Sequence, residues 1–223
     1  MFPLKDTQPS YSRPVVTISL IAVNLLVFLF EFSLDPYQRN ALIESYGLVP
    51  DHFRVSAVLT SMFLHGGWLH VLGNMWFLWI FGDNVEDLLG HAKYLLFYLL
   101  CGIAAALGQV FSGPYSTIPM VGASGAIAGV MGAYLVKFPR ARVLTLVFIL
   151  FFITTIEIPA PIMLVYWFVI QFFSGLGSIA RTHVSESGGT AFFAHVGGFV
   201  AGMILVSVMG ASDRYNRRRD HYW

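Results

Sequence analysis

Residues 121–132 read VGASGAIAGVMG, a serine among small residues at the head of an apolar, glycine-rich run. Two readings of Ser124 are open. A serine in a Gly-x-Ser-Gly setting can act as a nucleophile when a base lies beside it. Rows of small residues also let helix backbones touch, and Ser124, Ala128 and Gly132 fall on one stripe, with Gly125 and Gly129 next to it. The rest of the chain has to decide between attack and packing.

The medium is clear from composition. Of 223 residues, 57% are hydrophobic and only 11% charged, and the mean hydropathy is +0.70. Soluble domains carry about 25% charge. The chain therefore reads as an all-α polytopic membrane protein forming one membrane domain. Its first twelve residues are short and polar, unlike a cleaved signal peptide. The one cysteine, Cys101, excludes an intrachain disulfide and a cysteine zinc site, and packing is its expected role.

Spanning segments need about 20 apolar residues. Six are expected, at residues 14–34, 68–81, 92–111, 121 to about 137, 158–179 and 191–209. Residues 1–13 precede this 14–210 membrane domain, and a basic tail, 211–223, follows it. Residues 35–67 are too broken by Gly47, Pro50 and charges to span, and read as a loop lying partly in the interface. With the N-terminus in the cytoplasm, ten of the 13 Lys and Arg fall inside, which satisfies the positive-inside bias. A seventh span at 143–156 would place the C-terminal arginines outside. That stretch is expected to be re-entrant or interfacial, or an extension of the fifth helix.

Polar groups at membrane depth are costly and mark candidate sites. Those that stand out are Asn24, His70, Asn74, Gln109, Ser124, Gln171 and His195. His195, Gly198 and Gly202 share one face of the sixth helix, a small-residue row that matches the one on the fourth. Close contact of these two helices, both running from outside to inside, brings Ser124 and His195 to the same depth. Neutral His195 there can take the serine proton and return it to a leaving amine. His70 and Asn74, four residues apart on the second helix, share a face and form a donor pair suited to an oxyanion, joined by the Ser124 backbone N–H at a helix start. Each feature has a plainer reading as an interhelical contact. Their coincidence on three helices at one outer depth is what packing alone does not supply. His65 falls at the loop–helix junction and is given no catalytic role. Helix–helix hydrogen bonding is the default for Asn24, Gln109 and Gln171. Glu86 and Asp87, at the cytoplasmic end, are expected to cap the third helix or bind loop groups.

Other classes fit less well. The metalloprotease motif HExxH is absent, and no two histidines fall at i,i+4. Candidate aspartates such as Asp83 and Asp87 cluster at one end, unlike a two-aspartate intramembrane site. No internal repeat suggests a transporter. A non-catalytic membrane scaffold stays open.

Gly122-Ala123-Ser124-Gly125, His70-x-x-x-Asn74 after His65-Gly66-Gly67-Trp68, and Ala194-His195-x-x-Gly198-x-x-x-Gly202, in this order and at these positions, resemble the rhomboid family of intramembrane serine proteases over residues 14–210. The resemblance implies a six-helix rhomboid-like bundle with a water-filled cavity open to the outside. It implies a catalytic Ser124–His195 dyad without an acidic third member, and an oxyanion site of His70, Asn74 and the Ser124 N–H. It implies cleavage of transmembrane protein substrates near the outer ends of their helices, with the fifth helix and residues 181–190 as gate and cap. Two departures stand out. The Trp-Arg pair that many members carry in the first loop is replaced by Ser56-Ala57, with Phe53-Arg54 upstream. The tyrosine that in some members stacks on the catalytic histidine is Ala128 here, so the orientation of His195 rests on other contacts. No cofactor, metal or nucleic-acid partner is expected. The bilayer is the other partner, oligomeric state is left open, and a prokaryotic plasma membrane with the site toward its outer face is the expected location. An inactive rhomboid-like scaffold that binds membrane helices is the alternative.

Overall fold

Glycine rows set how closely the helices approach, and that closeness organises the fold. The computed structural model describes residues 2–149, 152–180 and 191–212; the expected polar loop 181–190 and most of the basic tail lie outside them. Helix α6 (Ser124–Lys137) packs along helix α8 (Phe192–Met209). A β-carbon on Gly198 would meet the carbonyl oxygen of Gly125, one on Gly202 that of Gly129, and one on Gly132 that of Phe199. Only hydrogens fit between the two backbones. Helix α5 (His91–Ser112) closes the third side, with Ala105 against Gly125 and the buried Cys101 against Gly129. The expected packing role of Cys101 matches this placement.

Helix α1 (Val15–Ser33) and helix α4 (Trp68–Leu89) complete the bundle. The second span was expected to end at Phe81, before the acidic stretch 82–87. Instead α4 runs through that stretch, where Asn84, Glu86 and Asp87 are buried and Asp83 is partly so. Glu86 is fully buried and caps the first turn of α1. It accepts from the Val16 and Thr17 amides, each at 2.8 Å, and from the Thr17 hydroxyl at 2.7 Å, and it pairs with His91 Nδ1 at 2.6 Å. The expectation that Glu86 caps the third helix is thus corrected. Its main client is the first helix, since α1 begins with Pro14 and Val15 and has no side-chain cap of its own. Anions at a helix N-terminus are favoured by the orphan N–H groups and the helix dipole. Glu86→Ala strips several charge-assisted bonds from buried donors, and a loss of at least about 3 kcal/mol is expected. A fall in the thermal unfolding midpoint in detergent, smaller for Glu86→Gln, checks this.

Among the described residues, α1, α5 and α8 are long and apolar enough to cross a bilayer. A fourth span results if α4 is taken with the segment before it, helix α3 (Val55–Thr60) and a 3-10 turn (Ser61–Phe63), from which it is bent by 88°. Helix α6 and the apolar start of helix α7 (Ala160–Ala180) are shorter. The expected loop 35–67 is built from helix α2 (Pro36–Tyr46), α3 and the 3-10 turn. Asp35 caps α2 through bonds from the Tyr37 and Gln38 amides. Arg54 donates to the Glu44 carbonyl at 2.6 Å, so the upstream Phe53-Arg54 supplies a brace in the absence of a Trp-Arg pair.

The all-α expectation is corrected at residues 143–156. Strands β2 (Arg142–Ile149) and β3 (Phe152–Pro159) pair antiparallel, and β1 (Phe2–Asp6) adds to the other edge of β2. Val143, Thr145 and Val147 are buried while Leu144 and Leu146 are only partly so, the two-residue period of a strand. The stretch is therefore a strand pair rather than an extension of α7. The Tyr134 hydroxyl of α6 donates to Asp6, and Trp76 Nε1 of α4 donates to the Pro3 carbonyl at 2.6 Å. Burial pushes the Asp6 carboxyl up to about 6, the Tyr134 bond opposing it.

Candidate active site

Ser124 opens α6. Its backbone N–H belongs to the first turn, whose donors have no partner within the helix. The residues before it are held from outside. Gly122 has φ +123°, a conformation open to glycine at little cost, and its N–H donates to the Ser61 carbonyl at 2.8 Å.

His195 lies in the first turn of α8 and is buried. Its Nε2 is 2.8 Å from Ser124 Oγ. Its Nδ1 is 2.8 Å from Gln171 Oε1 on α7. An amide oxygen only accepts, so Nδ1 carries the proton and Nε2 is left to accept from the serine hydroxyl. The ring is flanked by Trp167, also on α7, with centroids 5.5 Å apart and planes at 41°. Ala128, where a stacking tyrosine is absent, is buried in the packed core. His195 thus meets α6 through Ser124 and α7 through Gln171 and Trp167.

His70 and Asn74 converge on Gly122, two residues before Ser124. A β-carbon on Gly122 would lie 2.7 Å from His70 Nε2 and 3.5 Å from Asn74 Nδ2. The Asn74 amide is also held from behind. Its Nδ2 lies 3.0 Å from His65 Nε2, and the His65 backbone N–H donates to the Glu31 carboxylate at 3.2 Å and 3.3 Å. Since Asn74 Nδ2 can only donate, His65 Nε2 accepts one of its protons and the second stays available on the Gly122 side. His65 is fully buried and makes a T-shaped contact with the His70 ring at 5.1 Å. Its place is that of a brace behind the Asn74 donor.

The structure thus brings Ser124 and His195 into hydrogen bonding and sets His70 and Asn74 around the turn that precedes Ser124. The remaining polar residues divide. Gln109 Oε1 accepts from the Ala194 N–H, an interhelical bond next to His195. Among the described residues Asn24 makes no bond between helices; its Nδ2 donates to the Leu20 carbonyl of its own helix at 2.7 Å. Two groups went unread in the sequence. One is Gln171 as the partner of His195 Nδ1. The other is Glu31, a fully buried carboxylate near the C-terminal end of α1, whose signal was simply a charge inside an apolar run.

Comparison with known proteins identifies the family. Residues 52–212 match the rhomboid domain family. The human presenilin-associated rhomboid-like protein, mitochondrial, is 31% identical over 140 residues, covering 61% of this chain and 36% of that protein. The putative rhomboid protease YdcA of Bacillus subtilis is 34% identical, covering 55% of this chain and 61% of that protein. The rhomboid protease GluP of the same bacterium is 28% identical over 204 residues, 89% of this chain and 35% of that protein. The chain spans little more than a third of the length of the mitochondrial relatives it matches. Apolar helices long enough to cross a bilayer, together with these relatives, identify an integral membrane protein. The relatives are mitochondrial and bacterial alike, so the expectation of a prokaryotic membrane finds no support in them.

Proposed function

Given that the chain belongs to the rhomboid family, we propose that it is an intramembrane serine endopeptidase that hydrolyses peptide bonds in or near transmembrane segments of membrane proteins. The observation that carries this reading is the 2.8 Å approach of Ser124 Oγ to His195 Nε2 at the meeting of α6 and α8. In this mechanism Ser124 Oγ attacks the scissile carbonyl while His195 Nε2 takes its proton. The tetrahedral oxyanion is met by the Ser124 N–H, the His70 ring and the free Asn74 amide proton. His195 then returns the proton to the leaving amine, and water, activated by the same imidazole, releases the acyl-enzyme. Among the described residues, the side-chain bonds of His195 go to Ser124 and Gln171, not to an acid.

The length of α6 supports a recessed site. Fourteen residues of α6 rise only about 21 Å, against a hydrocarbon core of about 30 Å. With Lys137 at the cytoplasmic boundary, Ser124 sits ~9 Å below the outer one. A substrate helix reaches that depth from the bilayer, and its outer end must unwind to present a carbonyl.

A serine-directed fluorophosphonate tests the reading on the protein in lipid. Labelling is expected at Ser124 and lost in Ser124→Ala, and the wild type is expected to cut a reporter transmembrane protein. A wild type that neither labels nor cuts would leave the scaffold reading in its place. Asn74→Ala is expected to slow turnover ~10²–10³-fold, the usual cost of one oxyanion donor, with labelling of Ser124 reduced but present. Steady-state cleavage of the reporter measures it.

A further inference from the structure

Building on the endopeptidase reading, we propose that Gln171 and Trp167 are the positioning residues of His195, and that α7 supplies through them the orientation that a base in a dyad otherwise lacks. The two residues are four apart and share one face of α7. Gln171 meets the edge of the imidazole at Nδ1, 2.8 Å away. Trp167 meets the same ring at 5.5 Å between centroids, and itself packs on Phe199 one turn further along α8. An edge contact and a ring contact together restrict both torsions of a histidine side chain. The edge contact also selects the tautomer. With the amide oxygen facing Nδ1, the proton stays on Nδ1 and the lone pair of Nε2 faces Ser124. If the amide presented its NH2 group instead, Nδ1 would have to accept, Nε2 would carry the proton, and the imidazole could not take the serine proton.

A neutral amide suits this place. A carboxylate in the same role has to be desolvated between helices, and an unpaired buried charge is costly. The glutamine orients the ring without importing a charge. Among the described residues, the groups that α5 and α6 bring to the ring do not duplicate it. From α6 comes Ser124, the group to be activated, and from α5 comes Gln109, which bonds the Ala194 N–H rather than the ring. The orienting contacts therefore sit on α7, whose residues Ile162, Tyr166 and Phe173 are more than 60% exposed to the bilayer side. A base oriented from this helix is competent only while α7 is seated, so an outward shift of α7 would release His195 as it opened the bundle.

Two variants that keep the length of the side chain separate orientation from packing. Gln171→Met keeps shape and removes the acceptor. Gln171→Glu keeps an acceptor oxygen and adds a charge. On the proposed role, Gln171→Met lowers kcat for the reporter about 10–100-fold with little change in KM, a part of the ~10²–10⁴-fold that a positioned base contributes. Gln171→Glu retains the larger share of kcat even if its melting temperature falls. A purely structural role predicts the reverse order, because methionine is the better guest in an apolar bundle and the charged variant the worse one. Trp167→Leu is expected to lower kcat in the same direction by a smaller factor. Equal kcat in wild type and Gln171→Met, or kcat in both variants simply following melting temperature, would overturn the proposal. The fluorophosphonate result stands apart from it. A wild type that labels and cleaves while Gln171→Met is unaffected removes only the positioning role, whereas a wild type that does neither removes the endopeptidase reading and this inference with it.

Discussion

Ser124→Ala is expected to bring cleavage of a transmembrane reporter down to the assay background, a fall of roughly 10⁵–10⁶-fold as seen when a serine nucleophile is removed. The fold should survive the change. Alanine is at home in a small-residue row, and the lost hydroxyl made one hydrogen bond, to His195 Nε2, worth about 1 kcal/mol net. His195→Ala is expected to be comparably inactive, because an unassisted hydroxyl is a poor nucleophile at neutral pH. The double variant carries the sharper information. Residues that act as a unit give grossly non-additive losses, so Ser124→Ala/His195→Ala should be no slower than either single variant. Activity in Ser124→Ala well above background, or single losses that multiply in the double variant, would show that Ser124 and His195 do not form a dyad. Thermal unfolding of each protein alongside the rate separates chemical loss from misfolding.

The pairing of Ser124 with His195 was legible because two independent constraints point to it. Small residues must line both helices for the backbones to meet, and a hydroxyl and an imidazole need partners at membrane depth. The buried carboxylates were harder to read. In sequence, Glu31 and Glu86 count as charges to be kept out of a span, yet both sit where backbone N–H groups need an acceptor, at His65 and at Val16 and Thr17. Nothing in the local sequence announces those donors, which lie 34 and about 70 residues away along the chain. The strand pair was missed because 143–156 was weighed by length, hydropathy and the charge balance of the termini, none of which distinguishes strand from helix. Its Val, Ile and Thr content fits a strand, but the pairing of β2 with β1 joins residues about 140 positions apart in the chain. Gln171 was one of three amides of equal standing. Its role depends on the rotation of α7 about its own axis, which no spacing within α7 fixes.

Gly202→Ala should be the most damaging small substitution at the helix interface, although it adds a single methyl group. That methyl would fall on the carbonyl oxygen of Gly129, with the Gly129 carbonyl carbon and Cα directly behind. Overpacking costs about 1–3 kcal/mol where side chains can rotate aside. Here the obstacle is backbone inside a helix, and Gly129 is itself backed by Cys101 of α5, so the helices must separate. A loss above ~4 kcal/mol is expected, in the range reserved for such defects. The fraction that still folds should also be slow. Moving α8 outward stretches the 2.8 Å contact between His195 and Ser124, and a displacement of about 1 Å costs on the order of 10²-fold in rate. Gly73→Ala is the matched control. It lies within α4, and a β-carbon there meets nothing within 4 Å, so the usual helix preference of alanine over glycine should leave it as stable as the wild type or more stable, by up to ~1 kcal/mol. Thermal unfolding in detergent and reporter cleavage on both variants decide the matter. If Gly202→Ala melts and cleaves like Gly73→Ala, then close contact between α6 and α8 is not what delivers the base to the serine.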